Sequence, residues 1–335
     1  MVVDFPKRVV HGGTGKRQRE KTRKNVLDFS ASVNPFPPAI DWHFDPADLS
    51  YYPDDSYSEL KARIAQVFGR KPEEICVGNG SIEIIRALCA VTLGHSQKTR
   101  HFFLETPTFG EYELSARLAG AERTADPDAA DVWFVCNPNN PTGTLCPQAD
   151  ILSCLERAKR HGGLLFCDEA FIGLADPRES LVGVRDPGLF VLHSLTKTFS
   201  VPGLRIGFGF GDPDLVGKIE TARSPWSVNA YAEAFAMEAL LHLDDLAQSR
   251  AAIAKERDRL VSALNDLGLT CQPSAVNYLL VECGREASPL CEELALKNIL
   301  VRDCTSFGLP TSIRIAVRTR DENMQLLEAL ASCMR

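Results

Sequence analysis

Ser194-Leu195-Thr196-Lys197 closes an apolar run, and eight residues past the lysine stands Arg205, within Pro202-Gly203-Leu204-Arg205-Ile206-Gly207. A lone lysine is by default a surface cation. Set between a hydroxyl-rich turn and an arginine flanked by glycine and proline, it is better suited to imine chemistry. For that it must attack as the neutral amine, which needs a pKa lowered by desolvation or by nearby cations. Ser194 and Arg205 would then hold a phosphate, one through a hydroxyl and the other through a charged fork.

Three further clusters extend this chemistry. Gly78-Asn79-Gly80-Ser81 lies between a strand and a helix beginning near Ile82. Such a turn is more often only a tight connection, but a phosphate there would meet free N–H groups and partial positive charge. Asp168 ends the apolar stretch Leu164-Leu165-Phe166-Cys167. A carboxylate in that place is costly unless paired. Its plain role is to cap the next segment; beside Lys197 it suggests a partner for the protonated pyridine nitrogen of pyridoxal 5'-phosphate (PLP), which makes the ring an electron sink. Asn140, in the turn-forming run Asn137-Pro138-Asn139-Asn140-Pro141-Thr142-Gly143, carries an amide able to donate to the cofactor's phenolic oxygen.

Elements must bring these clusters together. From Ile75 onward short β-like runs alternate with helical patterns, the order of βα units around a largely parallel sheet. The strand candidates are Ile75–Val77, His101–Leu104, Val132–Cys136, Leu164–Cys167, Phe190–His193 and Ile206–Phe210. Several end in the clusters above, and ligands of open α/β sheets bind beyond the carboxyl ends of strands. Helical periodicity begins near Ser58. Beyond about residue 230 a long helical stretch precedes strands at Tyr278–Val281, Leu300–Val301 and Ile313–Val317 and a helix over Glu322–Ser332, which reads as a smaller α/β domain. The spacing divides the chain into an arm with part of the small domain (1–45), a large domain (46–235) and a small domain (236–335).

The 335 residues suffice for this plan. With 44% hydrophobic and 24% charged residues and a net charge of -7, the composition is that of a soluble globular protein with small charged partners rather than nucleic acid. Eleven cysteines without a C-x-x-C pair fit free thiols better than disulfides or a zinc site. No apolar stretch approaches the roughly 20 residues that span a bilayer, and the N-terminus is not signal-like; both imply a cytoplasmic protein with no membrane partner. The first 27 residues are basic and cannot build a core alone. They read as a solvated arm, or more sharply as a segment in which His11 and its neighbours fold over a phosphate-bearing ligand.

Taken in order, Gly80-Ser81, Phe109, Asn140, Asp168, Ser194, Lys197, Arg205 and Arg314 resemble the fold-type I, aspartate-aminotransferase-like PLP enzymes over nearly the whole chain. The resemblance implies a large domain with a mostly parallel seven-stranded sheet and a smaller C-terminal α/β domain. It implies catalytic roles for Lys197, as the imine lysine, and Asp168, as the pyridine-nitrogen partner. Asn140 would contact the phenolic oxygen and Phe109 would stack on the ring. Gly80, Ser81, Ser194 and Arg205 would hold the cofactor phosphate, and Tyr57 would reach the phosphate of a neighbouring subunit in a homodimer with shared active sites.

Two branches compete within that superfamily. His11-Gly12-Gly13, Asp28-Phe29-Ser30-Ala31, Asp168-Glu169-Ala170-Phe171-Ile172, Pro225-Trp226-Ser227-Val228-Asn229 and Asn277-Tyr278-Leu279-Leu280 look more like the threonine-phosphate decarboxylases of cobalamin biosynthesis than the histidinol-phosphate aminotransferases. Phe171 stands where many aminotransferases have tyrosine, so a hydroxyl on the phenolic oxygen is missing. The decarboxylase resemblance makes His11, Gly12, Ser32, Asn140, Arg302 and Arg314 the substrate contacts. It implies conversion of O-phospho-L-threonine to (R)-1-amino-2-propanol phosphate; the alternative is transamination with 2-oxoglutarate and glutamate. Ser32 departs from the asparagine of the decarboxylase pattern and is shorter, though still a hydrogen-bonding group.

Overall fold

The structure is a computed structural model, and it describes residues 5–94 and 97–334. Its strands are β1 (Leu27–Asp28), β2 (Ile75–Gly78), β3 (His101–Leu104), β4 (Glu122–Arg123), β5 (Val132–Cys136), β6 (Leu164–Asp168), β7 (Leu189–Ser194), β8 (Gly207–Phe210), β9 (Thr270–Cys271), β10 (Tyr278–Glu282), β11 (Ile299–Leu300), β12 (Arg302–Asp303) and β13 (Ser312–Ala316). Seven of them form one sheet in the order β2-β8-β7-β6-β5-β3-β4. The pairs from β7 through β4 are parallel, and β8 runs antiparallel to both its neighbours.

Strands covered on both faces read as continuous apolar runs, and here alternate residues part to opposite sides. Leu165, Cys167, Leu189 and Val191 pack against the helices Ser58–Phe68 and Gln148–Arg160. Phe166, Phe190 and Leu192 face Ile84, Ile85 and Leu88 of the helix Ser81–Leu93. The edge strand β4 escapes the sequence patterning because it has two residues, both exposed.

The second core gathers β9, β10, β12 and β13 with Leu260, Leu290 and Leu326 of three helices. Phe29, just after β1, is fully buried in that core, while β1 pairs in parallel with β11. Packing of the large domain extends past the boundary at 235, because Ala236, Ala239, Leu240 and Leu246 belong to its core.

The expected strand Leu300–Val301 is two strands instead. Residues Ile299–Leu300 pair with β1, whereas Arg302–Asp303 pair with β13. The change of sheet at Val301 sets Arg302 directly opposite Arg314. The basic N-terminal stretch forms a helix, Gly15–Thr22, with no buried residue. Among the described residues no helix is long and apolar enough to cross a membrane.

Candidate active site

Three strands deliver the chemistry at one end of the sheet. β6 ends on Asp168 and β7 on Ser194, and the one-turn helix Leu195–Thr198 then carries Lys197. Because β8 lies between β7 and β2, Gly207 is opposite both Ser194 and Gly78. The segments around Gly80, Ser194 and Arg205 therefore adjoin. Gly80 has φ +76°, and a Cβ there would lie 2.3 Å from Arg205 Nη2; one on Gly207 would lie 2.5 Å from the Ser81 nitrogen. Only glycines allow this approach.

The helix Ser81–Leu93 begins at this point with no side-chain cap. Its first N–H groups are thus available to an anion beside the Arg205 guanidinium. Arg205 is itself held at φ +63°, a conformation that costs a non-glycine residue energy and recurs at functional sites. Among the described residues it donates to the Pro202 carbonyl at 3.1 Å and to no carboxylate. Ser194 Oγ lies 2.8 Å from Thr196 Oγ1.

Burial, with Arg314 and Arg205 nearby, lowers the Lys197 pKa from 10.5 to about 8. The amine is therefore about half neutral, and available as a nucleophile, near pH 8. Asp168 is 4% exposed. Its Oδ2 accepts from the Tyr112 hydroxyl at 2.7 Å and its Oδ1 from the Ala170 N–H at 2.8 Å. Burial raises its pKa while these donors pull it down, so a buried carboxylate awaits a cationic partner. Asn140 Oδ1 accepts from Arg314 Nη1 at 2.5 Å, which leaves the Asn140 NH₂ as a donor. Phe109 stands 5.5 Å edge-on to Tyr112 and 6.0 Å from the His11 ring.

The residues expected to contact the substrate come from both domains and the arm. Arg314 donates to the Ser30 carbonyl at 2.9 Å and lies over Tyr278 at 5.2 Å. Arg302 donates to the Val10 carbonyl at 2.8 Å and to Ser306 Oγ at 2.6 Å. Burial lowers both arginine pKa values. Gly12 is pressed so closely on Ser30 that a Cβ would meet its carbonyl oxygen at 2.3 Å. His11 Nε2 lies 2.8 Å from Glu111 Oε1, and Arg86 donates to Glu111 Oε2 at 3.2 Å. Among the described residues, Ser32 Oγ and Arg314 Nε are buried without a hydrogen-bond partner. Such groups are uncommon in native interiors unless a ligand or water completes them.

Tyr57 is a correction. Its side chain is fully buried in the large domain. Its hydroxyl accepts from the Val228 N–H at 2.9 Å and donates to the Val228 carbonyl at 3.3 Å, with Arg223 over the ring. It cannot reach a neighbouring subunit. A left-handed φ of +48° at the start of the helix Ser58–Phe68 turns the chain so that this ring points inward. The exposed hydroxyls of that region belong to Tyr51 and Tyr52, the latter 4.6 Å from Trp226.

Three residues of the site escaped the sequence reading. Tyr112 bonds Asp168, Glu111 holds His11, and the Tyr278 hydroxyl donates to the Asn139 carbonyl at 2.9 Å. Tyr112 lies in the first turn of the helix Glu111–Leu118, where the sequence marks it only as a core aromatic.

PLP answers the three open demands at once, with an aldehyde for the amine, a phosphate for the uncapped helix end and a ring nitrogen for the carboxylate. With its aspartate-aminotransferase-like fold, the protein is a PLP-dependent enzyme. The chain belongs to the family described as aminotransferase class I and II, whose family model matches residues 24–330.

Relatives show the range within that family. The chain is 32% identical over 306 residues to a histidinol-phosphate aminotransferase of Symbiobacterium thermophilum, covering 86% of this chain and 84% of the relative. It is also 32% identical over 329 residues to a protein of Caldanaerobacter subterraneus subsp. tengcongensis provisionally named threonine-phosphate decarboxylase, covering 90% and 88%. The crystal structure of histidinol-phosphate aminotransferase from Sinorhizobium meliloti in complex with pyridoxal-5'-phosphate shares the fold, with a TM-score of 0.83 at 21% identity over 96% of this chain and 94% of that one.

Proposed function

We propose that this chain decarboxylates O-phospho-L-threonine to (R)-1-amino-2-propanol phosphate, a step of cobalamin biosynthesis. The observation that carries the reading is the facing pair Arg302 and Arg314, with the arm's His11 held beside Phe109. This set suits a small substrate bearing a phosphate and a carboxylate. Bound PLP supplies the electron sink for the pair released at the α-carbon. Asp168 keeps the ring nitrogen protonated. Asn140 donates to the phenolic oxygen, and Gly80, Ser81, Ser194 and Arg205 hold the cofactor phosphate. His11, Gly12, Ser32, Arg302 and Arg314 bind the substrate's anionic groups. Lys197 would attack the cofactor as the neutral amine; once displaced by the substrate's amino group it takes up a proton, and as the ammonium it delivers that proton to the α-carbon after carbon dioxide departs.

The Phe171 ring packs 5.0 Å edge-on against Tyr278, so no hydroxyl from position 171 touches the phenolic oxygen, in keeping with the decarboxylase pattern. The Caldanaerobacter relative supports the same reading. The active species is a cytoplasmic homodimer with shared sites, to which the exposed aromatics Tyr51, Tyr52 and Trp226 contribute surface.

Histidinol-phosphate aminotransferase is the second reading, favoured by the name of the Symbiobacterium relative. The two differ in which α-carbon bond breaks, decided by how the arginines hold the carboxylate. The deciding experiment mixes the PLP-loaded enzyme with O-phospho-L-threonine and measures carbon dioxide, alongside histidinol phosphate with 2-oxoglutarate and a measurement of glutamate. Carbon dioxide from the first mixture is expected. Glutamate from the second without carbon dioxide from the first would overturn the decarboxylase reading.

A further inference from the structure

We infer that Tyr112 is a positioning residue that sets the basicity of Asp168 and thereby the protonation of the cofactor ring; this rests on the PLP assignment and not on the choice of substrate. Tyr112 is fully buried. Its ring lies parallel to Phe134 at 5.5 Å and edge-on to Phe109 at the same distance. The packing fixes the hydroxyl on Asp168 Oδ2 at 2.7 Å. One side chain thus supports both Phe109 and the Asp168 carboxylate, the residues that would meet the face and the nitrogen of the cofactor ring.

The direction of the effect follows from the donors. Burial pushes Asp168 towards the neutral acid, and the Tyr112 hydroxyl is the foremost influence opposing it, followed by the Ala170 N–H and His193, while Glu169 pushes the other way. The tyrosine's own pKa is driven well above 10, first by burial and then by Asp168, with the Cys136 thiol against the same hydroxyl. It therefore stays a neutral donor across the working pH range. By spreading the charge on Oδ2 it keeps Asp168 a weak enough base to leave the proton on the ring nitrogen. Without it the proton shifts towards Asp168 and the ring becomes a poorer electron sink.

Tyr112→Phe keeps the aromatic packing and removes the donor, whereas Tyr112→Leu removes both. The readout is the pH midpoint of the visible absorbance of the PLP-loaded enzyme without substrate, together with the PLP Kd of the apoenzyme. A less cationic ring withdraws fewer electrons from the Lys197 linkage, so Tyr112→Phe is expected to raise that midpoint by about half a unit and to weaken PLP by roughly three- to tenfold. Tyr112→Leu should weaken PLP further. In an Asp168→Asn background, measured at saturating PLP, Tyr112→Phe should no longer move the midpoint. An unmoved midpoint in Tyr112→Phe with wild-type Asp168, or an equal shift in the Asp168→Asn background, would overturn the inference. A wild-type protein that takes up no PLP would instead overturn the cofactor assignment.

Discussion

A single methyl at Gly80 tests whether the glycine turn and Arg205 form one phosphate cradle. Gly80 has φ +76° and ψ 158°, a region almost confined to glycine, where a side chain costs about 1–3 kcal/mol. The alanine Cβ would lie 2.3 Å from Arg205 Nη2 and 2.9 Å from its Cζ. Both atoms end a flexible side chain, so the guanidinium swings away and the sheet stays intact. That movement takes the arginine from the helix end. A charge-assisted hydrogen bond is worth about 1.5–3 kcal/mol, so PLP Kd should rise about 10- to 150-fold. The assay is absorbance titration of the apoenzyme with PLP, with the apoenzyme's Tm expected to fall by at least about 2 °C. Gly183→Ala is the control, because a Cβ there meets nothing within 4 Å. An unchanged Kd in Gly80→Ala would refute the cradle, since the added atom and the guanidinium cannot occupy the same place.

Capture of PLP needs the neutral Lys197 amine, whose pKa is about 8. Below that pH the ammonium dominates, so stopped-flow capture rates should rise roughly tenfold per pH unit up to pH 8 and level off above it; a flat profile from pH 6 to 9 would contradict this, and Lys197→Ala should lose the lysine-linked absorbance altogether. Tyr57→Phe leaves the Val228 N–H without its acceptor and should cost about 1–3 kcal/mol in urea unfolding, while PLP Kd stays at the parent value. Glu111→Ala releases both His11 and Arg86, so trypsin should cut between Lys16 and Lys24 several-fold faster; equal digestion rates would show that this carboxylate does not hold the arm.

Residues that announce themselves by chemistry at a strand end were legible in the sequence. Lys197, Asp168 and the Gly80 turn stand where an apolar run stops, and the parallel sheet made that stop a shared edge. Tyr112 was not legible, because a buried tyrosine on an amphipathic helix looks like core until its hydroxyl is found on Asp168. Tyr57 misled for the opposite reason. The resemblance assigned this tyrosine an intersubunit role, yet a left-handed φ sends its ring into the core. The division of Leu300–Val301 between two sheets was equally hidden, since two apolar residues carry no record of which partner strand each one meets.

Arg314 ties all three parts of the chain together. It comes from the small domain, donates one Nη to Asn140 of the large domain and the other to the Ser30 carbonyl beside the arm's Gly12. Each terminal nitrogen thereby has one partner, and Nε is buried with none among the described residues. A guanidinium held at both Nη atoms is fixed in orientation, so under the proposed function a carboxylate bound to it would take the orientation that the protein imposes. Ser32 Oγ is likewise buried with no partner among the described residues, and its reach is shorter than asparagine's. Under the proposed function, selection among small phosphorylated amines would rest on fixed donors whose spacing is set by the contact of β12 with β13 and by the seating of the arm. Substitutions that loosen the arm should accordingly alter KM before they alter the chemistry at Lys197.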